Sequence, residues 1–154
     1  MVNKIIGLLN EKTICLNLEA QDSSDVITTL GKLLYDSGVV KHSFISAALK
    51  REAELPTGLP LSGSHNAAIP HTEIEHVHQA GLAMATLISP VTFQNMISPS
   101  DPVEVRLVFL LALDQPKAQV EALQEIAGVL QSEEIVNALI NAKDFGDIQK
   151  ALTL

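Results

Sequence analysis

Apolar residues along this chain follow two rhythms, and the switches between them outline its elements. Over 13–18, Ile14, Leu16 and Leu18 alternate with polar or small residues, the period of a half-buried strand. The run Asp22-Ser23-Ser24-Asp25 then offers capping side chains. Val26, Ile27, Leu30, Leu33 and Leu34 follow at helical spacing until Gly38, a residue suited to the place just past a helix C-terminus. A second helix is predicted from near His42-Ser43, turning Phe44, Ile45, Ala48 and Leu49 inward and ending before Pro56. Residues 55–66 hold two prolines, two glycines and two serines and read as a loop, with a short strand after it from Asn66 to Ile69.

Gly81–Ile88 and Val103–Leu113 are continuous apolar runs bounded by turn residues, as buried central strands are. Ser89-Pro90 and Ser98-Pro99-Ser100-Asp101-Pro102 are expected to punctuate the connection between them. The remainder is helical in period. Val120, Leu123, Ile126, Ala127 and Leu130 share one face after Pro116; Ile135, Val136, Leu139 and Ile140 mark a helix opened by Ser132-Glu133-Glu134; Asp144 caps a last helix carrying Ile148 and Leu152. Helices around a mixed sheet of about four strands predict an α+β fold, a three-layer α/β/α sandwich forming one domain over 1–154.

Composition narrows the function. Apolar residues make up 47% of the 154 and charged ones 18%, which is a core-forming balance. Aromatics are only 3%, so the interior must be built from Leu, Ile, Val and Ala. The net charge of -8 argues against a nucleic-acid binder, which needs a clustered basic surface, and against docking on anionic lipid. Cys15 is the single cysteine, so no disulfide can form within a monomer, as suits a reducing compartment. Met1–Gly7 does not read as a signal peptide, and no stretch approaches the ~20 apolar residues of a membrane-spanning helix, so a cytoplasmic location is expected.

Candidate chemistry gathers at 51–73. His65, His71, His76 and His78 cluster in sequence with Glu73 and Glu75, but without a recognised metal-ligand spacing; His42, His65, His76 and His78 read more simply as solvated histidines. Ser62-Gly63-Ser64 is no nucleophile elbow, and Gly58 and Gly63 lack the Lys-Ser/Thr that completes a phosphate loop. Cys15 lies within a strand pattern and reads as structural.

His71 differs, because it stands where an apolar segment is stopped by Pro70, held from behind and open in front. A neutral imidazole is a good nucleophile near neutral pH, and phosphoryl transfer asks a protein chiefly for positioning and charge stabilisation. Pro70 stiffens the backbone, Thr72 offers a hydroxyl and an N–H, and Arg51 offers a two-pronged donor for phosphate oxygens.

Lys50-Arg51-Glu52, the Pro-Thr-Gly loop at 56–58 and Ala68-Ile69-Pro70-His71-Thr72 together resemble the IIA components of the bacterial sugar phosphotransferase system, fructose/mannitol class. The order of elements agrees along nearly the whole chain, from an opening short helix to the amphipathic helix after the strand Val105–Leu113. The stretch Leu55-Pro56-Thr57-Gly58-Leu59-Pro60 is most similar to the galactitol-specific type. The resemblance implies a three-layer sandwich with a mixed sheet. It also implies that His71 takes a phosphoryl group from phospho-HPr and passes it to a cysteine of a IIB protein, with Arg51 stabilising the charge and Thr72 helping. No metal or nucleotide cofactor is implied, and the sugar is left to the membrane component.

In one respect the chain departs from that class. Many members carry a second histidine at the start of the helix after the long apolar strand, where Gln119 stands here; glutamine can donate a hydrogen bond but cannot be a cation. Leu59 and Leu61 are expected either to form part of a partner-docking rim or to pack beneath the loop. A regulatory role, in which phosphorylation changes binding to another protein, is the alternative to transport.

Overall fold

The computed structural model describes residues 2–154. After a short helix α1 (Val2–Leu8), strand β1 (Ile14–Leu18) leads into α2 (Ser23–Asp36) and α3 (Phe44–Glu54). Strands β2 (Gly58–Leu59), β3 (Asn66–Ala68), β4 (Gly81–Gln94) and β5 (Pro102–Ala112) follow, and α4 (Pro116–Leu130), α5 (Glu133–Ile140) and α6 (Phe145–Leu152) close the chain. The strands form one sheet in the order β1-β4-β5-β3-β2. The β1–β4 and β3–β5 pairs are parallel, whereas β4–β5 and β2–β3 are antiparallel. The expected mixed sheet and three layers are what is observed, with five strands.

The period of two in the central strands sorts their side chains between two cores. Leu82, Met84, Leu107, Phe109 and Leu111 face α4, α5 and α6 together with Ile5 of α1. Ala83, Ala85, Leu87, Val108 and Leu110 face Val26, Ile27, Leu30 and Leu34 of α2 and Phe44 and Ala48 of α3. Both faces of the sheet are therefore covered, which is why 81–87 and 107–113 read as unbroken apolar runs.

Two expectations need correction. Ser89-Pro90 does not begin a connection: β4 continues to Gln94, and the register slips from the Thr86–Leu107 pair to the Val91–Val105 pair. The extra residues, with Ile88, Ser89 and Pro90 exposed, bulge outward, and Arg106 Nε donates to the Leu87 carbonyl at 2.9 Å. A proline is tolerated at such a bulge because it has no ladder bond to make there. The loop at 55–66 likewise contains a strand, since β2 pairs with β3 and Met96 N–H donates to the Gly58 carbonyl at 2.9 Å. A Cβ on Gly58 would sit 2.6 Å from the Gln94 carbonyl oxygen, so only glycine lets the two backbones approach this closely.

Leu59 and Leu61 are half-buried against the core shared with α4, α5 and α6. The packing expected of them is thus observed.

Candidate active site

The short strand β3 is the back wall of the site. Ala67 and Ala68 are fully buried, and their small side chains let the strand run between the two cores. Beyond it the chain leaves the sheet but stays tied to it, because Leu111 N–H donates to the Pro70 carbonyl at 3.1 Å. Ile69 remains in the core at 5% exposure, which fixes the backbone on the near side of His71.

His71 keeps only 8% of its surface exposed. Its Nδ1 lies 2.9 Å from the Ile69 carbonyl oxygen. A carbonyl can only accept, so Nδ1 carries the proton and Nε2 carries the lone pair. Burial pushes the imidazole pKa below its ordinary value, the Ile69 bond opposes that shift, the positive charge of Arg51 adds to it, and the Glu73 carboxylate opposes it. The net effect is a neutral ring of defined tautomer.

Arg51 projects from the last turn of α3. Its Nη1 donates to Glu73 Oε2 at 2.6 Å, and its side chain is 30% exposed. Its Nε is buried and has no acceptor among the described residues. Thr72 is buried at 2% exposure, and its hydroxyl donates to Glu73 Oε1 at 3.0 Å. The guanidinium and the Thr72 hydroxyl thus lower the pKa of Glu73's carboxylate from its ordinary value. A cleft of about 270 Å³ opens beside the pair, lined by Ala47, Lys50, Arg51, Glu54, Glu73 and His76.

Next to Arg51 in sequence, Glu52 faces inward at 7% exposure. Its Oε2 accepts the Thr57 N–H and its Oε1 accepts the Thr57 hydroxyl, both at 2.8 Å. Burial drives its pKa up to about 7, against the lowering effect of both Thr57 bonds. This clasp holds the chain leaving α3 against the helix and sets where β2 starts, one residue later.

Arg51 and Thr72 are therefore joined through Glu73, and His71, next to Thr72 in the chain, lies within electrostatic reach of both Arg51 and Glu73. Gln119 lies half-buried in the first turn of α4 and makes no hydrogen bond to His71, Arg51 or Thr72 among the described residues. Of the other histidines, only His76 lines the cleft beside Arg51 and Glu73 among the described residues. His42 meets the Tyr35 ring edge-on at 6.0 Å, His76 Nδ1 pairs with Ser43 Oγ at 2.8 Å, and His78 is exposed. The described residues contain no group of three or more side chains placed to hold a metal ion. Burial pushes the Cys15 thiol pKa up, as suits a structural cysteine.

Glu52 and Glu73 are the residues that reasoning from sequence undervalued. The sign for Glu52 was its spacing: Phe44, Ala48 and Glu52 recur every four residues, so a carboxylate occupies an inward position of α3. For Glu73 there was no such sign, because its partner Arg51 is 22 residues away.

The model of the family described as phosphoenolpyruvate-dependent sugar phosphotransferase system, EIIA 2, matches residues 7–154. The galactitol-specific EIIA component of Escherichia coli K12 is 36% identical over 119 residues, covering 77% of this chain and 78% of that protein. The fructose-specific EIIABC component of Bacillus subtilis is 28% identical over 144 residues, covering 91% of this chain and 21% of that longer protein. In structure, the chain is similar to IIA mannitol from E. coli, with a TM-score of 0.76 and 22% identity over 94% of this chain and 98% of that one. It is as close to enzyme IIAMtl in its complex with phosphorylated IIBMtl, with a TM-score of 0.76 and 23% identity over 94% and 96% of the two chains. No described helix is long and apolar enough to cross a membrane. With the mixed three-layer fold, a buried histidine and a guanidinium within electrostatic reach of it, these matches lead to one conclusion: the chain belongs to the EIIA type 2 family, a phosphotransferase component of the phosphoenolpyruvate-dependent sugar phosphotransferase system.

Proposed function

We propose that His71 is the phosphoryl acceptor and carrier, taking its group from phospho-HPr and handing it to a cysteine of a IIB protein in galactitol uptake. The observation that carries this reading is the Nδ1 hydrogen bond to the Ile69 carbonyl, which leaves Nε2 as the one ring nitrogen with a free lone pair. Membership of the family and the galactitol-specific relative supply the system and the sugar.

In the forward step the Nε2 lone pair attacks phosphorus, the new N–P bond forms as the donor's N–P bond breaks, and the bonding electrons return to the donor imidazole. The proton on Nδ1 stays in place, so the ring becomes cationic, and its positive charge makes it a good leaving group in the next step. There a IIB thiolate attacks, the N–P bond breaks, and neutral His71 is restored. Arg51 offsets the charge on the phosphoryl oxygens, and the Thr72 hydroxyl donates one further hydrogen bond. Gln119 has no assigned contact in this scheme.

The test is to incubate the chain with phosphoenolpyruvate, enzyme I and HPr and to measure acid-labile phosphate. Wild type is expected to be labelled, and His71→Ala to fold but take no label. Unchanged labelling of His71→Ala would refute the assignment.

A further inference from the structure

The Glu73 carboxylate is a charged group, bonded to two of the residues in the transfer scheme, that the scheme leaves without work. Its environment is specific: one oxygen accepts from Arg51 Nη1 and the other from the Thr72 hydroxyl. Those two donors are the groups assigned above to the phosphoryl oxygens. Glu73 stands at the N-cap of the short 3-10 turn Ile74–His76, yet its side chain makes no capping bond. Its side chain is 49% exposed, so nothing encloses it and water can receive it when it leaves. Arg51, meanwhile, keeps a buried Nε with no acceptor among the described residues, a donor that the carboxylate does not satisfy.

A plain surface ion pair is the bland reading, and it would matter little. It does not account for a carboxylate shared between a guanidinium and the hydroxyl next to a nucleophilic histidine. A carboxylate and a phosphoryl group present the same chemistry to these donors, anionic oxygens that accept charge-assisted hydrogen bonds. Both cannot occupy the same donors, and two anions side by side repel.

We propose that Glu73 is a positioning residue, an internal anion that occupies the Arg51 and Thr72 donors while His71 is free and yields them to the phosphoryl oxygens on transfer. This rests on the reading of His71 as the acceptor. Two consequences follow from the competition. The empty site stays organised, because Arg51 is held by Glu73, two residues past His71, instead of extending into solvent. The phosphorylated site is kept from becoming a sink, because returning Glu73 to its donors helps to expel the phosphoryl group toward the next carrier.

The experiment titrates inorganic phosphate into the unphosphorylated full chain and follows the His71 imidazole and Arg51 guanidinium signals by NMR. Glu73→Ala is expected to bind phosphate at least tenfold more tightly than wild type, with Glu73→Gln in between. The gain should vanish in the double variant Glu73→Ala/Arg51→Ala. Glu75→Gln, which removes a nearby exposed charge, should change affinity by less than about twofold, separating donor release from general charge. In the transfer assay, Glu73→Ala should shift the equilibrium with phospho-HPr several-fold toward the phosphorylated chain and slow passage to IIB. Equal phosphate affinities in wild type, Glu73→Gln and Glu73→Ala, with His71 labelled normally, would overturn the role of Glu73 alone. Absence of label on wild-type His71 would instead overturn the carrier reading and this inference with it.

Discussion

Glu52 adjoins Arg51 in sequence and Glu73 pairs with it from 22 residues away; each accepts two hydrogen bonds, one of them from a threonine hydroxyl. Their surroundings make them opposites. Glu52 is buried and bonded only to neutral donors, so desolvation dominates and its pKa rises to about 7. Glu73 is half-exposed and bonded to a cation, so its pKa falls. The difference teaches which carboxylate can move. Withdrawing Glu52 would strand the Thr57 N–H and hydroxyl away from water, whereas releasing Glu73 only exchanges protein donors for water. One acid is a clasp for the backbone that follows α3, and the other is free to act as a switch.

The sharpest way to break this contrast is to delete the clasp. Glu52→Ala leaves two buried Thr57 donors unpaired and opens space beneath the loop, which should cost roughly 2–4 kcal/mol. For a domain of this size that lowers Tm by roughly 5–15 °C, read by calorimetry or circular dichroism. A loss below about 0.5 kcal/mol, the level of an ordinary surface change, would show that the clasp is not structural.

A second prediction uses pH. Because Glu52's pKa is higher folded than unfolded, the folded chain holds the extra proton between about 4.5 and about 7. Its contribution is therefore complete below pH 4.5 and is lost as pH rises through 7, by on the order of 3 kcal/mol in all. His71 works in the opposite sense, since its lowered pKa contributes stability above about 6.5 that is lost as pH falls. Comparing wild type with Glu52→Gln cancels the His71 part. Glutamine can still accept the Thr57 N–H and donate to the Thr57 hydroxyl, so the variant should gain on wild type between pH 5 and pH 8 in urea unfolding. A constant difference between the two proteins across that range would contradict the buried-acid account.

The smallest expected effect sharpens the contrast from the other side. Glu73→Gln should change stability by less than about 1 kcal/mol, because an exposed pair contributes little. Melting temperatures within about 3 °C of wild type are expected. A much larger fall would make Glu73 a second clasp and remove the distinction drawn here.

Much of this was legible in the chain. The alternation at 13–18 and the apolar runs at 81–88 and 103–113 fixed strand identity, because both layers of helices leave their marks on the sheet. The bulge at 87–90 was not legible: a proline between two strand-like segments reads as a turn unless one sees Arg106 bridging back to Leu87. Strand β2 was hidden for a similar reason, since two residues carry no period and pair only because Gly58 can approach Gln94. At the site, His71, Thr72 and Arg51 stood out by chemistry and by family resemblance. Glu73's partnership joins residues far apart in the chain, and no local pattern announces it. Gln119 is carried across by alignment alone; it stands in the first turn of α4 and makes no hydrogen bond to the imidazole among the described residues.

The central claim is that Nε2 of His71 receives the phosphoryl group. Mapping the acid-labile phosphate to its peptide, with ¹⁵N NMR of the phosphorylated chain to identify the substituted ring nitrogen, tests it most directly. Phosphate on Nε2 of His71, with Nδ1 still protonated, is the predicted result. Phosphate on Nδ1 of His71, or on any other residue, would contradict the account.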